Sequence, residues 1–136
     1  MQNVTMQMME MHAKDMPVGG MDLMMMQECI EACSAAEQAC TMCADAMSGE
    51  DMSMCRGMCM NAADMSHAML RMMLRQNGMH SASMMSMMEA TAMMMEACAE
   101  ECMTHADMSE DCRMCAEVCR QCAASCRKMM AMMPAA

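Results

Sequence analysis

The sequence predicts an all-α protein, an antiparallel up-down-up-down four-helix bundle with a short N-terminal accessory helix. Helix-favouring residues dominate the composition: Met alone accounts for 35 of 136 residues, whereas Phe, Tyr and Trp are absent. Only 2 Pro and 5 Gly are present, so the chain has few turns and little room for linkers. Short connections make consecutive helices antiparallel neighbours, which is the topology of an up-down bundle.

Helix-breaking residues divide the chain into predicted elements. Pro17, Gly19 and Gly20 separate an N-terminal segment, residues 1–20, from a bundle over residues 21–133 and a tail over residues 134–136. Within the first segment, residues 5–14 form the predicted accessory helix. The four bundle helices are predicted over residues 21–47, 51–76, 81–105 and 109–133.

Capping signals support several of these boundaries. Ser48 and Gly49 end the first bundle helix, and Gly78 is placed to take a left-handed cap after the second. Either Ser81 or Ser83 is predicted to cap the third helix. Ser109 is followed by two acidic residues, which is typical of an N-cap at the start of the fourth helix.

Charge and hydropathy exclude several functions. The formal net charge is -10, so attraction to a nucleic-acid backbone or an anionic membrane is not expected. The N-terminus has Glu10 and Asp15 where a signal peptide would be apolar, and no run of 18 apolar residues suggests a membrane span. We therefore expect a cytoplasmic protein. In a reducing compartment 13 cysteines are metal ligands or free thiols, and an odd number cannot pair fully within one chain.

The cysteines follow the period of an α-helix. In the first and fourth bundle helices, they fall within an arc of about 80° on one face. The other two helices each carry an i,i+4 pair. The four sets are Cys29, Cys33, Cys40 and Cys43; Cys55 and Cys59; Cys98 and Cys102; and Cys112, Cys115, Cys119, Cys122 and Cys126. Charged residues such as Glu31, Arg113 and Arg120 lie off these stripes, so the thiols are predicted to line the core.

One or two such cysteines would be explained as small buried hydrophobic residues. Thirteen cysteines on four core-facing stripes indicate that the sulfur itself is used. Zn²⁺ is an alternative, because the CxxC pairs could supply halves of its sites. An iron–sulfur cluster is another, although the cysteine run over residues 112–126 has helical spacing and no following Pro, unlike the bacterial ferredoxin run. Cu(I) fits best, since it prefers thiolates and thioethers and needs only two or three ligands from a straight helical row.

The segments CIEACSAAEQACTMCADA (29–46) and EECMTHADMSEDCRMCAEVCRQCAASC (100–126) resemble the cytosolic branch of the bacterial four-helix-bundle copper storage proteins. The resemblance extends over about residues 22–133. It implies that all thirteen cysteines bind multiple Cu(I) ions inside the bundle, that four bundles assemble into a homotetramer, and that His105 and Met108 are ligands at the mouth. A copper chaperone is an expected partner, and the protein is not expected to be an enzyme.

The chain differs from this family pattern at two places. Ser109 and Asp111 stand where histidines are expected near the mouth. Met or Ala also replaces several interior cysteines of the second and third bundle helices, so the sequence is unusually rich in Met. A structural or engineered bundle without a physiological metal role therefore remains an alternative, as do iron–sulfur or zinc proteins.

The remaining sulfur and imidazole groups have simpler explanations. Most methionines are predicted to fill the core, because an unbranched thioether packs into irregular gaps. His12, His67 and His80 are predicted to be surface or cap residues. Antiparallel topology gives the bundle a thiol-rich end and a thioether-rich end, and we expect Cu(I) to bind most tightly at the thiol-rich end. The thioether-rich end is predicted to contain Met24, Met69, Met73, Met84, Met87, Met94 and Met130.

Overall fold

A computed structural model of the chain describes residues 4–12, 23–47 and 49–133. Five α-helices are present in this part: α1 (Val4–Met11), α2 (Leu23–Ala46), α3 (Ser53–Leu74), α4 (Ser81–Met103) and α5 (Glu110–Met132). Short 3₁₀ turns at Glu50–Met52 and Gln76–Gly78 precede α3 and α4. No β-strand occurs among the described residues, in agreement with the predicted all-α class. The predicted boundary around Pro17, Gly19 and Gly20 and the tail from Pro134 lie outside the described residues.

The helices α2 to α5 form the predicted antiparallel four-helix bundle. Each packs against its neighbours in the order α2, α3, α4, α5, and α5 returns to α2, while α1 lies against α2. Side-chain pairs on the outside connect adjacent helices. His67 Nδ1 is 2.8 Å from Glu37 Oε1 between α3 and α2, and Arg127 donates to both carboxylate oxygens of Glu96 between α5 and α4. No helix among the described residues is long and apolar enough to cross a membrane.

Two of the predicted caps are confirmed. The side chain of Ser109 accepts a hydrogen bond from the backbone N–H of Cys112 at 3.2 Å, so it caps α5. Gly49 has a φ of +104°, which suits a residue without a Cβ after the end of α2. The predicted helix limits agree with the observed ones to within about three residues, which is the usual uncertainty of helix ends.

Two other capping predictions are wrong. His80, and not Ser81 or Ser83, caps α4, because its Nδ1 accepts the backbone N–H of Ser83 at 3.3 Å. Gly78 lies in a 3₁₀ turn and does not take the left-handed conformation, because α3 already ends at Leu74. An imidazole nitrogen can accept like a serine hydroxyl, which is why residue-type preference alone selected the wrong neighbour.

The bundle core consists of six layers, each with one residue from every helix of α2 to α5. Positions in successive layers are alternately three and four residues apart, which is heptad spacing. All 24 side chains are between 0 % and 2 % exposed. We number the layers from 1, at the end formed by the α2–α3 and α4–α5 connections, to 6, at the α3–α4 connection. The layer 1 end is called the mouth, and the layer 6 end the methionine end.

Candidate metal centre

All thirteen cysteines are buried, and together they form one array of thiols along the bundle axis. The heptad spacing points thiols inward in layers 1 to 5 on α5, in layers 1, 2, 4 and 5 on α2, and only in layers 1 and 2 on α3 and α4. This confirms the prediction that the thiols line the core. None of the thirteen thiols forms a disulfide.

The two layers nearest the mouth consist entirely of cysteine. Layer 1 contains Cys43, Cys55, Cys102 and Cys112, and layer 2 contains Cys40, Cys59, Cys98 and Cys115. The Sγ–Sγ distances within these layers include 3.7 Å for Cys55–Cys102 and 3.7 Å for Cys40–Cys115. Cys59 lies 3.7 Å from Cys102, so the two layers are also in contact with each other. Eight thiols therefore fill the third of the core nearest the mouth.

The layers towards the methionine end contain fewer thiols than the two at the mouth. Layer 3 contains Ala36, Ala62, Met95 and Cys119; layer 4 contains Cys33, Ser66, Thr91 and Cys122; layer 5 contains Cys29, Met69, Met88 and Cys126. The α2 and α5 thiols still pair across the core, at 3.7 Å for Cys33–Cys122 and 3.8 Å for Cys29–Cys126. Layer 6 contains no thiol and consists of Met26, Met73, Met84 and Met129.

Four groups of thiols have all their sulfur atoms within 4.8 Å of one another, close enough to share a metal ion. They are Cys40, Cys98, Cys115 and Cys119; Cys43, Cys59, Cys102 and Cys115; Cys55, Cys102 and Cys112; and Cys29, Cys33 and Cys126. Cys102 and Cys115 each belong to two groups. Since thiolates can bridge two Cu(I) ions, adjacent groups that share a thiol suit a continuous metal cluster better than separate single-ion sites.

Most of these thiols resist ionisation in the metal-free protein. Burial raises the pKa of Cys55 from 9.0 to about 12, and burial likewise raises the pKa of Cys112. A hydrogen bond with Cys126, together with burial, raises the pKa of Cys122 to about 12. The direction is opposite at Cys115, because hydrogen bonds from Cys102 and other neighbouring thiols lower its pKa. Cations that replace the protons would remove the cost of burying thiolates without a counterion.

His105 and Met108 lie in the turn between α4 and α5, beyond the last thiol layer. α4 ends at Met103, so His105 lies just beyond the helix that was predicted over residues 81–105. Its side chain is 16 % exposed, and its Nε2 is 3.1 Å from Glu101 Oε2. Met108 is 82 % exposed, so its thioether faces solvent and is not packed into the array. Asp111 is also exposed, and Ser109 is occupied as the cap of α5.

The thioethers at the methionine end differ partly from those predicted. Met69, Met73 and Met84 are buried as expected, but Met24 is 66 % exposed, and Met87, Met94 and Met130 are only partly buried. The interior positions at this end are instead taken by Met26, Met88 and Met129, and Met95 lies nearer the mouth, in layer 3. Counting two heptads from the mouth cysteines along each helix would have found Met26, Met88 and Met129, because the same faces remain inside over this length.

The fold and the array define a class: a four-helix bundle whose interior is a continuous ligand set for a soft metal ion. A family model described as "Copper storage protein" (Csp) matches residues 23–131, which are most of the chain. The chain therefore belongs to the copper storage protein family, as the sequence resemblance indicated. No curated protein was found that matches the chain.

Solved structures of Ccsp from Streptomyces lividans are similar to this chain. The structure of that copper storage protein loaded with 10 copper equivalents is 38 % identical, with a TM-score of 0.81, covering 84 % of this chain and 89 % of that chain. A structure of the cytosolic copper storage protein with five coppers has a TM-score of 0.79 and 38 % identity, covering 83 % and 98 %. A mutant with one histidine replaced by alanine has a TM-score of 0.81 and 38 % identity, covering 84 % and 98 %.

Proposed function

We propose that this protein is a cytosolic store of Cu(I), in which the thirteen cysteine thiolates bind many ions inside each bundle. The observation that carries this proposal is the pair of all-cysteine layers at the mouth, which continue into the α2 and α5 thiols without leaving the core. Cu(I) is the cargo, and storage rather than catalysis is the role that this family membership supports.

The sharing of thiols between groups supports a high capacity. If each thiolate bridges two ions and each ion has two sulfur ligands, the limit is about one Cu(I) per cysteine. Ions of charge +1 that each replace one proton leave the net charge of the core unchanged, so the array can fill without accumulating buried charge. We expect a capacity on the order of ten Cu(I) per chain.

The mouth supplies the expected route for loading. We propose His105, held by Glu101, and the exposed Met108 as the ligands that meet Cu(I) before it reaches layer 1. Exposed acidic side chains surround this end of the bundle, which suits a copper chaperone with a basic face. They are Asp45, Asp51, Glu100, Asp107 and Asp111.

We also propose the homotetramer that the sequence resemblance implies. Exposed methionines on the outer faces of all four bundle helices give this assembly an apolar surface to cover. They include Met24, Met42, Met60, Met93 and Met132. Native mass spectrometry of the metal-free chain should show four copies, and a monomer at micromolar concentration would contradict this part of the proposal.

Anaerobic titration of the reduced protein with Cu(I) tests the storage function. The ultraviolet absorbance of Cu(I)–thiolate bonds should rise over on the order of ten equivalents, and a strong competing chelator should fail to remove most of them. Saturation at one or two equivalents would contradict storage. Visible absorption after reconstitution with iron and sulfide, without tight Cu(I) binding, would favour the iron–sulfur alternative.

A further inference from the structure

The methionine end contains a second kind of soft-ligand set, separate from the thiol groups. Layer 6 receives one methionine from each of the four helices, and these side chains are 0–2 % exposed: Met26, Met73, Met84 and Met129. The thiol contacts in layer 2 show that these four methionines lie at the same height along the bundle axis. Each lies fourteen residues from a layer 2 cysteine, namely Cys40, Cys59, Cys98 and Cys115 respectively.

The layer 2 cysteines are in mutual contact, which fixes the register of the four helices. Cys40 and Cys115 are 3.7 Å apart, and so are Cys59 and Cys98. Fourteen residues are two heptads, or about 21 Å of helix, and return to nearly the same face. The four methionines therefore form a ring around the bundle axis, one layer beyond the last thiol pair.

The neighbouring layer makes this ring continuous with the thiol array. In layer 5 the pair Cys29–Cys126 faces Met69 and Met88, all four of them fully buried. The core thus changes along its axis from thiols alone in layers 1 and 2, through layers that keep one or two thiols, to thioethers alone in layer 6. Thioether sulfur is a ligand that Cu(I) accepts and that Zn²⁺, which prefers Cys, His and carboxylates, does not.

Solvent can approach this end of the bundle. A cavity of about 360 Å³ lies beside the α3–α4 connection and is lined by Met84, with Met79 and His80 in its wall. A second cavity of about 570 Å³ lies between α1 and the end of α3, with Met9 and His12 among its lining residues. The first of these reaches a member of the methionine ring directly.

We propose that the methionine ring of layer 6 is a distinct Cu(I) site, reached from the α3–α4 end and weaker than the thiolate sites. The inference rests on the proposed storage function, because it treats the ring as an extension of the same cargo path. Thioethers are neutral, so the bound ion keeps its positive charge in an apolar interior, and this costs free energy. The site consequently exchanges its ion more readily than the thiol layers.

Methyl NMR of the full chain, labelled with ¹³C at the methionine methyl groups, tests this site during an anaerobic Cu(I) titration. Single Met→Leu variants assign the four resonances. When the thiolate ultraviolet absorbance reaches its plateau, a further equivalent should shift all four ring resonances. A chelator too weak to lower the thiolate absorbance should reverse these shifts.

The two readouts separate failure of the site from failure of the storage function. A normal thiolate plateau with unmoved ring resonances would overturn the methionine site and leave storage intact. Absence of a thiolate plateau would overturn storage, and the ring resonances would still report on the site directly.

A matched pair of variants gives a second measurement. Met and Leu have similar volumes, so the quadruple variant M26L/M73L/M84L/M129L should keep its fold and lose about one weakly held equivalent. The control variant M24L/M60L/M93L/M132L changes one exposed methionine on each helix and should lose none. Equal capacities for the two variants, with both folded, would contradict the proposal.

Discussion

At the scale of single residues, the thiols differ in the number of thiol groups to which they belong. Cys102 belongs to two of the four thiol groups, and its Sγ lies 3.7 Å from both Cys55 and Cys59. Cys122 belongs to none of the four groups among the described residues, and its Sγ lies 3.7 Å from Cys33. Cys102 and Cys122 are therefore equally buried but differ in the number of thiols with which each could share a metal ion.

This difference predicts unequal losses of capacity. Cys102→Ser should remove about two Cu(I) or more, because a bridging thiolate supports ions on both sides, whereas Cys122→Ser should remove about one or fewer. Chelator-competition titration of each folded, reduced variant measures the loss. The two cysteines are both fully buried, so each variant serves as the control for the other. Losses of the same size would argue against shared thiols at the mouth.

At the scale of the helix, features with regular spacing along the sequence were predicted correctly. The cysteine stripes repeat every three or four residues, so they predicted the four helices, the inward faces and the thiol-rich end correctly. The surroundings of the array were harder to predict. With 35 methionines, almost every face of a helix has some, and helix topology alone selected Met87 and Met94, although Met88 and Met95 are the residues buried in the core.

The ends of the helices were predicted less well than their faces, because local hydrogen bonding decides them. His80 replaces a neighbouring serine as the cap of α4, and α4 ends before His105. His105 therefore reaches the mouth from a turn, through its contact with Glu101, and its position could not be obtained by extending the helix. Helix topology and the family resemblance both placed His105 at the mouth, but the turn that holds it there was not predicted.

Layer 4 offers a test of the helix register. Ser66 and Thr91 are fully buried opposite Cys33 and Cys122, and their hydroxyls donate to carbonyls of their own helices, at 3.1 Å to Ala63 O and 2.7 Å to Met87 O. These two hydrogen bonds lie within single helices, so neither hydroxyl connects one helix to another. The double variant S66C/T91C should complete a third layer of four thiols and add about two Cu(I) to the capacity.

Titration of the reduced S66C/T91C variant beside the parent chain measures this gain. Ser83→Cys together with Ser86→Cys provides the control, because both positions are exposed on α4 and their thiols cannot join the array. An increase that is the same in both double variants would show that added thiols bind wherever they are placed. That result would contradict the layer assignment.

At the scale of the whole molecule, the buried thiols connect stability to pH. The pKa of Cys55 and that of Cys122 are raised from 9.0 to about 12, and the pKa of Cys112 is raised as well. A folded-state pKa above the unfolded value means that stability is fully present below pH 9 and is lost as the pH rises towards 12. Cys115 and Cys126 have lowered pKa values, which act in the opposite direction, but more of the thiols have raised pKa values.

The metal-free protein should therefore lose stability between about pH 9 and pH 12, while the Cu(I)-loaded protein should not, because its thiolates have no proton left to lose. The composition makes this test unusually specific. The chain has no tyrosine, and Lys14 and Lys128 are its two lysines, so few other side chains titrate in this range. Urea unfolding followed by circular dichroism at pH 8 and pH 10.5 measures the change for both forms. A metal-free protein equally stable at the two pH values, or a loaded protein that weakens as much, would show that the thiols do not control the alkaline transition.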